Sequence, residues 1–399
     1  MQETLPNAFH DWLVDLRRHF HRIPEPAYKE HKTAAKICEV LDELKVPFQA
    51  GIAKTGVVAT LKAKQPGPVV ALRADMDALP LTEATDVPFT SQHQGFMHAC
   101  GHDAHMTIVL GTIRWLLENK WPQNGSGEIL FLFQPAEEGG AGAKAMLETG
   151  IFDPLQIRAI FGGHLYPSLA VGHIGIAAEL SNAAADAFKI RLRGKGGHGA
   201  YPHQCKDPIV AGAHVVTQLQ TLISRDLPPL ESAVITIGRF QAGTASNIIP
   251  EKALLEGTLR TLRPGIREQI IRRLEELLKG LEVSFNITAT LEIKPGYPVL
   301  VNHPELVTFT MNCARNLIGD DHVHILPPRM GAEDFAFFIE RWPGVMIGLG
   351  CHAPDKGFLH GLHSPHFNLD ERVLDVGALL FGKVLTQYLE GLSSQTETR

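Results

Sequence analysis

Three apolar runs, residues 69–74, 127–133 and 159–163, each stop at residue types that hold metals or move protons: Asp75 and Asp77, Glu137 and Glu138, and His164. The runs are close to continuously apolar rather than alternating, which reads as strands buried on both faces of a sheet flanked by helices. Open α/β sheets put their chemistry at the carboxyl ends of such strands. Between the first two runs lies Met97-His-Ala-Cys-Gly-His-Asp103, followed by an apolar helical stretch over 104–118. Cys100 and His102 lie two apart among small residues, so a thiolate and an imidazole converge on one point at a helix start. Alone, that pair is more often a buried cysteine beside a helix-capping histidine than a metal site.

Amphipathic spacing predicts helices over 9–22 and 31–44, a strand over 56–61 and a helix over 141–148. From about residue 186 the pattern becomes strand 187–193, helix 208–224, strands 233–240 and 252–262, helix 264–281 and strand 284–293. That βαββαβ order is the split βαβ arrangement of a small, separately folded sandwich. The division expected is therefore one discontinuous domain, 1–185 with 296–399, interrupted by an inserted domain, 186–295. The first domain resumes with a helix over 305–317, a strand over 345–349, a histidine-rich loop over 360–366 and a helix over 371–389, and the polar tail after Leu392 is expected to fray.

With 399 residues, 44% of them hydrophobic, the chain can bury two cores. A net charge of −6 without any basic run argues against nucleic acid as the partner and favours small molecules. No apolar run approaches 18 residues, so no membrane span is expected, and the amino-terminal segment carries no targeting pattern. Five scattered cysteines suit a reducing cytoplasm better than a disulfide framework.

Adjacent Glu137 and Glu138 repel unless something positive lies beside them. They read either as the acidic first turn of the following helix or as a working pair, with successive strand-end residues facing opposite sides so that one binds a metal and the other acts as a base. Cys100, His102, Glu138, His164 and His363 together offer one thiolate, one carboxylate and three imidazoles, enough for two divalent ions sharing a ligand. Glu137 is then placed to take a proton from water and pass it to a leaving nitrogen.

Arg73-Ala-Asp-Met-Asp-Ala-Leu-Pro80, Met97-His-Ala-Cys-Gly-His-Asp103, Gln134-Pro-Ala-Glu-Glu-Gly139, Gly197-His-Gly-Ala-Tyr-Pro-His203, Ser246-Asn-Ile-Ile-Pro250 and Gly331-Ala-Glu-Asp-Phe335 resemble the M20 metallopeptidase family, in its amidohydrolase branch of hippurate hydrolases, N-acyl-L-amino acid amidohydrolases and indoleacetyl-amino acid hydrolases. The resemblance runs from about Arg17 to Tyr388. It implies an α/β protein whose dimetal aminopeptidase-like catalytic domain carries an inserted ferredoxin-like dimerisation or lid domain, with a homodimer or higher oligomer built through that insertion. It makes Cys100 the bridging ligand, with His102, Glu138, His164 and His363 completing two sites for Zn, Mn, Co or Ni, and Glu137 the general base. Many relatives carry a histidine ligand where this chain has Arg73-Ala74-Asp75, so Asp75 and Asp77 are expected behind the ligands, orienting them. His198 resembles a residue donated across the dimer to the carbonyl oxygen, against its plain reading as part of a glycine-rich turn. Asn247 and Arg260 resemble groups that bind the substrate's carboxylate, an Arg fork being suited to one, against the plain reading of Arg260 as a strand-end surface charge. The activity implied is hydrolysis of the amide of an N-acyl (acetyl or aroyl) amino acid. The alternatives are a dipeptidase or carboxypeptidase of the same family, or a metal-binding protein without catalysis.

Overall fold

The computed structural model describes residues 4–397. They form two compact units: Met1–Ser181 with Val301–Pro327 and Asp334–Arg399, and Asn182–Leu300 with Pro328–Glu333. In chain order the first unit opens with helices α1 (Asn7–Arg22) and α2 (His31–Glu43), strands β1 (Phe48–Ile52), β2 (Gly56–Lys62) and β3 (Gln65–Asp75), and helix α3 (His102–Glu118). Strand β4 (Ser126–Gln134), helix α4 (Gly142–Glu148) and strands β5 (Ile157–Ala170) and β6 (Ile174–Ala177) follow. The second unit holds β7 (Ala184–Arg193), α5 (Pro208–Ser224), β8 (Ala233–Ala242), β9 (Lys252–Thr261), α6 (Pro264–Phe285) and β10 (Thr288–Tyr297). The first unit then ends with α7 (Pro304–Ile318), β11 (Val323–Leu326), β12 (Gly344–His352) and α8 (Arg372–Glu397).

The first unit's sheet has eight strands in the order β1-β2-β4-β3-β5-β12-β6-β11. Its centre, β4-β3-β5-β12, is parallel. The edges are not: β1 and β2 run antiparallel, and β6 opposes β12. Phe131, Phe133 and Phe161 on the central strands are fully buried, each worth about 1.5–3 kcal/mol relative to exposure. Helix α3 packs against α1, α8 and β3 and is buried nearly all round, which explains why its sequence is apolar without a polar face. From β3 the chain crosses by α3 to β4 on one side, whereas from β5 it moves to the other, so the carboxyl ends of β3 and β5 border a topological switch point, where such sheets hold ligands.

The second unit is a four-stranded antiparallel sheet, β8-β9-β7-β10, with α5 and α6 packed on it in βαββαβ order. Its core gathers Phe188, Ile190 and Leu192 from β7, Leu255 and Leu259 from β9, and Ile270, Leu274, Leu278 and Leu281 from α6. The strand expected from residue 284 starts at Thr288, because the helical apolar period of α6 carries on through Phe285 and stops only where Asn286 takes a left-handed conformation, φ 52°. Helix α8 likewise runs past Leu392, through the expected frayed tail, to Glu397; residues 398–399 of that tail lie outside the described residues. No described helix is long and apolar enough to cross a membrane.

Candidate metal centre

Strand β3 delivers Asp75 and, past its end, Asp77; α3 begins at His102, just after Cys100; β5 carries His164. The loop before α3 turns at Gly101, whose φ of 85° favours glycine and where an added Cβ would lie 2.3 Å from Leu165 Cδ1. His363, itself at φ 63°, is brought to this loop by its backbone N–H, which donates to the Ala99 carbonyl at 2.8 Å. Glu137 and Glu138 do not end a strand. β4 stops at Gln134, Ala136 turns left-handed, and the two glutamates open the short helical turn Glu137–Gly140. The opposite-faces argument drawn from strand geometry therefore does not apply. What orients the pair is Asp77, whose two carboxylate oxygens accept from the Glu137 and Glu138 amides at 2.9 and 3.0 Å.

The ligand atoms of Cys100, His102 and His164 all lie within 4.8 Å of one another, and so do those of Cys100, Glu138 and His363. Cys100 belongs to both sets. His164 Nε2 is 3.5 Å from Cys100 Sγ, and His363 Nε2 is 3.1 Å from Glu138 Oε1. Glu137, also buried, groups with His102 and Glu138.

The tautomers of two histidines follow from their partners. His102 Nδ1 donates to the Asp77 carbonyl at 2.8 Å and His164 Nδ1 to the Leu165 carbonyl at 2.8 Å, since a carbonyl can only accept. Each Nε2 then faces the cluster. His102 Nε2 and Glu138 Oε1 are buried without a well-aligned hydrogen bond, the condition expected of atoms meant for a cation. The donor set of one sulfur, one carboxylate and three imidazoles suits two divalent transition metals.

Charges in the cluster point the same way. Burial pushes the Cys100 thiol up, while His102 and His363 favour its thiolate. Burial resists charge on His102, yet Asp75, Asp77 and Cys100 prevail and hold it well above the ordinary histidine value. Hydrogen bonds to Cys100 and Glu138 push His363 up to about 10. Burial would raise Glu138, but His363 and His102 hold it below the usual glutamate value. Raised imidazoles beside a lowered carboxylate form the electrostatic pattern that divalent cations take over when they displace those protons.

Behind the cluster lies a layer in which sequence reasoning gave a role only to the two aspartates, Asp75 and Asp77. Arg73, fully buried, donates to Asp75 (2.7 Å), Gln134 (2.7 Å) and Asp334 (2.9 Å). Asp334 also accepts from Gln134 Nε2 and the Ala143 amide. His105 Nδ1 lies 2.7 Å from Asp75 Oδ1. On the far side of the loop, Asp103 pairs with Arg17 (2.8 Å) and His21 (2.7 Å). The available signal was charged residues inside otherwise buried apolar stretches, as at Arg73, which must be paired if buried.

His198, Asn247 and Arg260 belong to the second unit. His198 and Ile248 pair in a two-residue ladder, the Gly199 amide donates to the Asn247 carbonyl at 2.8 Å, and the exposed His198 accepts at Nδ1 from the Ala200 amide. His198 and Asn247 are thus neighbours. Arg260, on β9, is half-buried rather than a free surface charge, with Nη1 donating to the Met330 carbonyl at 3.0 Å.

The model of peptidase family M20/M25/M40 matches residues 71–387. N-acetyldiaminopimelate deacetylase of Brevibacillus brevis is 38% identical, covering 96% of this chain and 98% of its own. IAA-amino acid hydrolase ILR1-like 4 of Arabidopsis thaliana is 36% identical, covering 98% of this chain and 88% of its own. The structure of Bacillus subtilis YxeP, described as a dinuclear metal-binding peptidase of the M20 family, superposes with a TM-score of 0.85 at 34% identity, over 96% of this chain and 99% of YxeP. With a fold, a cluster of metal-ligand side chains and a sequence match that agree along nearly its whole length, the chain belongs to peptidase family M20/M25/M40.

Proposed function

We propose that this protein hydrolyses the amide bond of N-acyl amino acids, releasing a carboxylic acid and a free amino acid. The observation that carries the reading is the membership of Cys100 in two ligand sets at once, with Glu137 beside them. Cys100 would serve both ions, with His102 and His164 completing one site and Glu138 and His363 the other. Divalent ions held there would supply a lowered water pKa and a polarised scissile carbonyl. The protein's own part is to hold and move protons. The Glu137 carboxylate accepts a proton from the attacking water as the new C–O bond forms, then gives it to the amide nitrogen as the C–N bond breaks. Asp77 holds the Glu137 and Glu138 amides, so both glutamates keep their places through that exchange.

In the second unit, His198 of one copy serves the oxyanion of the other copy's substrate, and Asn247 and Arg260 take the free carboxylate. Support for dimerisation lies on edge strand β8, where Val234 and Phe240 are exposed, with Ile248 and Tyr201 beside His198. All five cysteines are free, which suits a reducing cytoplasm, where Cys100 stays unoxidised.

The relative named for N-acetyldiaminopimelate sets the first compound to try. The metal-free protein is loaded in turn with Zn, Mn, Co and Ni and given N-acetyldiaminopimelate, N-acetylmethionine, hippurate and a series of dipeptides. Release of the amino acid from the N-acyl compounds, absent in the Glu137→Gln variant, is the expected result. Turnover confined to dipeptides, or metal binding without any turnover, overturns it.

A further inference from the structure

We propose that His105 is a positioning residue that fixes His164 for metal binding, acting through the backbone of Leu165. The inference rests on His164 being a ligand, as proposed above. His105 follows His102 by three residues on α3, so both rings lie on one face of the helix, 5.4 Å apart between centroids. One turn of helix thereby presents a ligand and a holder of another ligand.

The two nitrogens of His105 are both committed. Its Nε2 accepts the Leu165 N–H at 3.0 Å, so that nitrogen carries no proton, and its Nδ1–H donates to Asp75 Oδ1 at 2.7 Å. The ligand atoms of Asp75, His102 and His105 do lie within 4.8 Å of one another. Yet a neutral imidazole with one nitrogen donating and the other accepting has no lone pair left for a cation. His105 therefore holds rather than ligates.

What it holds is a strand segment with a partner missing. Pairing of β3 with β5 ends at Arg73 and Gly162, whereas β12 continues beside β5 through His164 and Leu165. The Leu165 amide lies beyond the last β3 pair, and a buried N–H without an acceptor there would cost about 1–3 kcal/mol. The His105 ring supplies the acceptor. The carbonyl of Leu165 in turn receives His164 Nδ1–H at 2.8 Å, which sets the tautomer and the aim of His164 Nε2 towards Cys100. The His105 ring also packs on the His164 ring, with centroids 4.8 Å apart at 62°, opposing its rotation. Asp75, anchored by Arg73 at 2.7 Å, fixes His105 from behind.

Three variants separate the parts. His105→Gln can place a carbonyl near the lost Nε2 and accept the Leu165 amide; His105→Asn can donate to Asp75 but falls short of Leu165; His105→Phe keeps a ring and loses both bonds. Zinc affinities of the metal-free proteins are measured by competition with a chromophoric chelator, and urea midpoints of the same metal-free samples report folding. We expect His105→Asn and His105→Phe to weaken one of two ions by about 10- to 100-fold, the range for lost ligand support, and His105→Gln to stay near the wild-type value. Cobalt-substituted proteins should show the change in the absorption of one site. Equal affinities in the Asn and Gln variants, or wild-type binding of both ions by a folded Phe variant, overturn the proposal; if the Phe variant does not fold, the Asn and Gln comparison decides. His164→Ala is the control: if it leaves two ions bound, the ligand assignment itself falls, whereas loss of an ion there with wild-type binding in the Asn variant sinks only the role of His105.

Discussion

Asp77→Asn isolates the part of this site that geometry explains best. The carboxylate of Asp77 accepts the Glu137 amide on one oxygen and the Glu138 amide on the other, at 2.9 and 3.0 Å. Asparagine has the same shape but one acceptor, so one amide keeps its bond while the other meets an NH2 group, donor against donor. An amide bond to a charged acceptor is worth about 1.5–3 kcal/mol, and the orphaned donor is buried. At 1.36 kcal/mol per factor of ten, that loss amounts to roughly 10- to 150-fold if it falls wholly on the arrangement of the two glutamates. The assay is kcat/KM on the best N-acyl amino acid from the metal-loaded protein, alongside metal content and affinity. Because Glu138 is a proposed ligand and Glu137 the proposed base, both metal affinity and kcat should fall. Asp77→Asn within twofold of wild type in both would refute the reasoning, since the turn would then be holding itself.

Glu137→Gln should retain two ions per chain by metal analysis and lose about 10²-fold or more in kcat. Cys100→Ser, with a hydroxyl far less acidic than a thiol, should bind fewer ions or bind them measurably more weakly in the same analysis. Arg260→Ala should abolish the KM penalty that the wild type shows when the substrate carboxylate is converted to a primary amide; an equal penalty in both proteins would move the carboxylate elsewhere. Asp370 gives a pH test. Burial would raise its pKa, but Arg372 and Lys356 prevail and hold it at about 2, below the unfolded value near 4. Its contribution is therefore full above about pH 4 and is lost as pH falls towards 2, so the stability gap between wild type and Asp370→Asn, followed by urea midpoints from pH 5 downward, should narrow in that window.

The local period of the chain was enough to place most elements, because each buries a continuous apolar run or a 3.6-residue stripe. The βαββαβ order of residues 184–297 and α5, Pro208–Ser224, are instances. Where tertiary packing overrode the local pattern, the reading slipped. β5 extends to Ala170 beyond its apolar run because β12 continues to pair with it, and β1, with three of its five residues exposed, exists as a strand only through its pairing with β2. Singly the ligand-type residues were ambiguous, each with a plain structural reading; only the five together, with the family resemblance, pointed to two metals. The contacts that bring them together were not legible, for they depend on which strands become neighbours. Residues 100 and 363 meet because the His363 amide finds the Ala99 carbonyl, a contact no spacing along the chain encodes. Only the family resemblance set Asp75 and Asp77 behind the candidate ligands, and nothing along the chain singled out His105. A carboxylate or an imidazole becomes a ligand or a ligand's support according to which of its lone pairs the surrounding backbone has already claimed, and only the folded chain settles that, as the Leu165 amide does for His105 and the Glu137 and Glu138 amides do for Asp77.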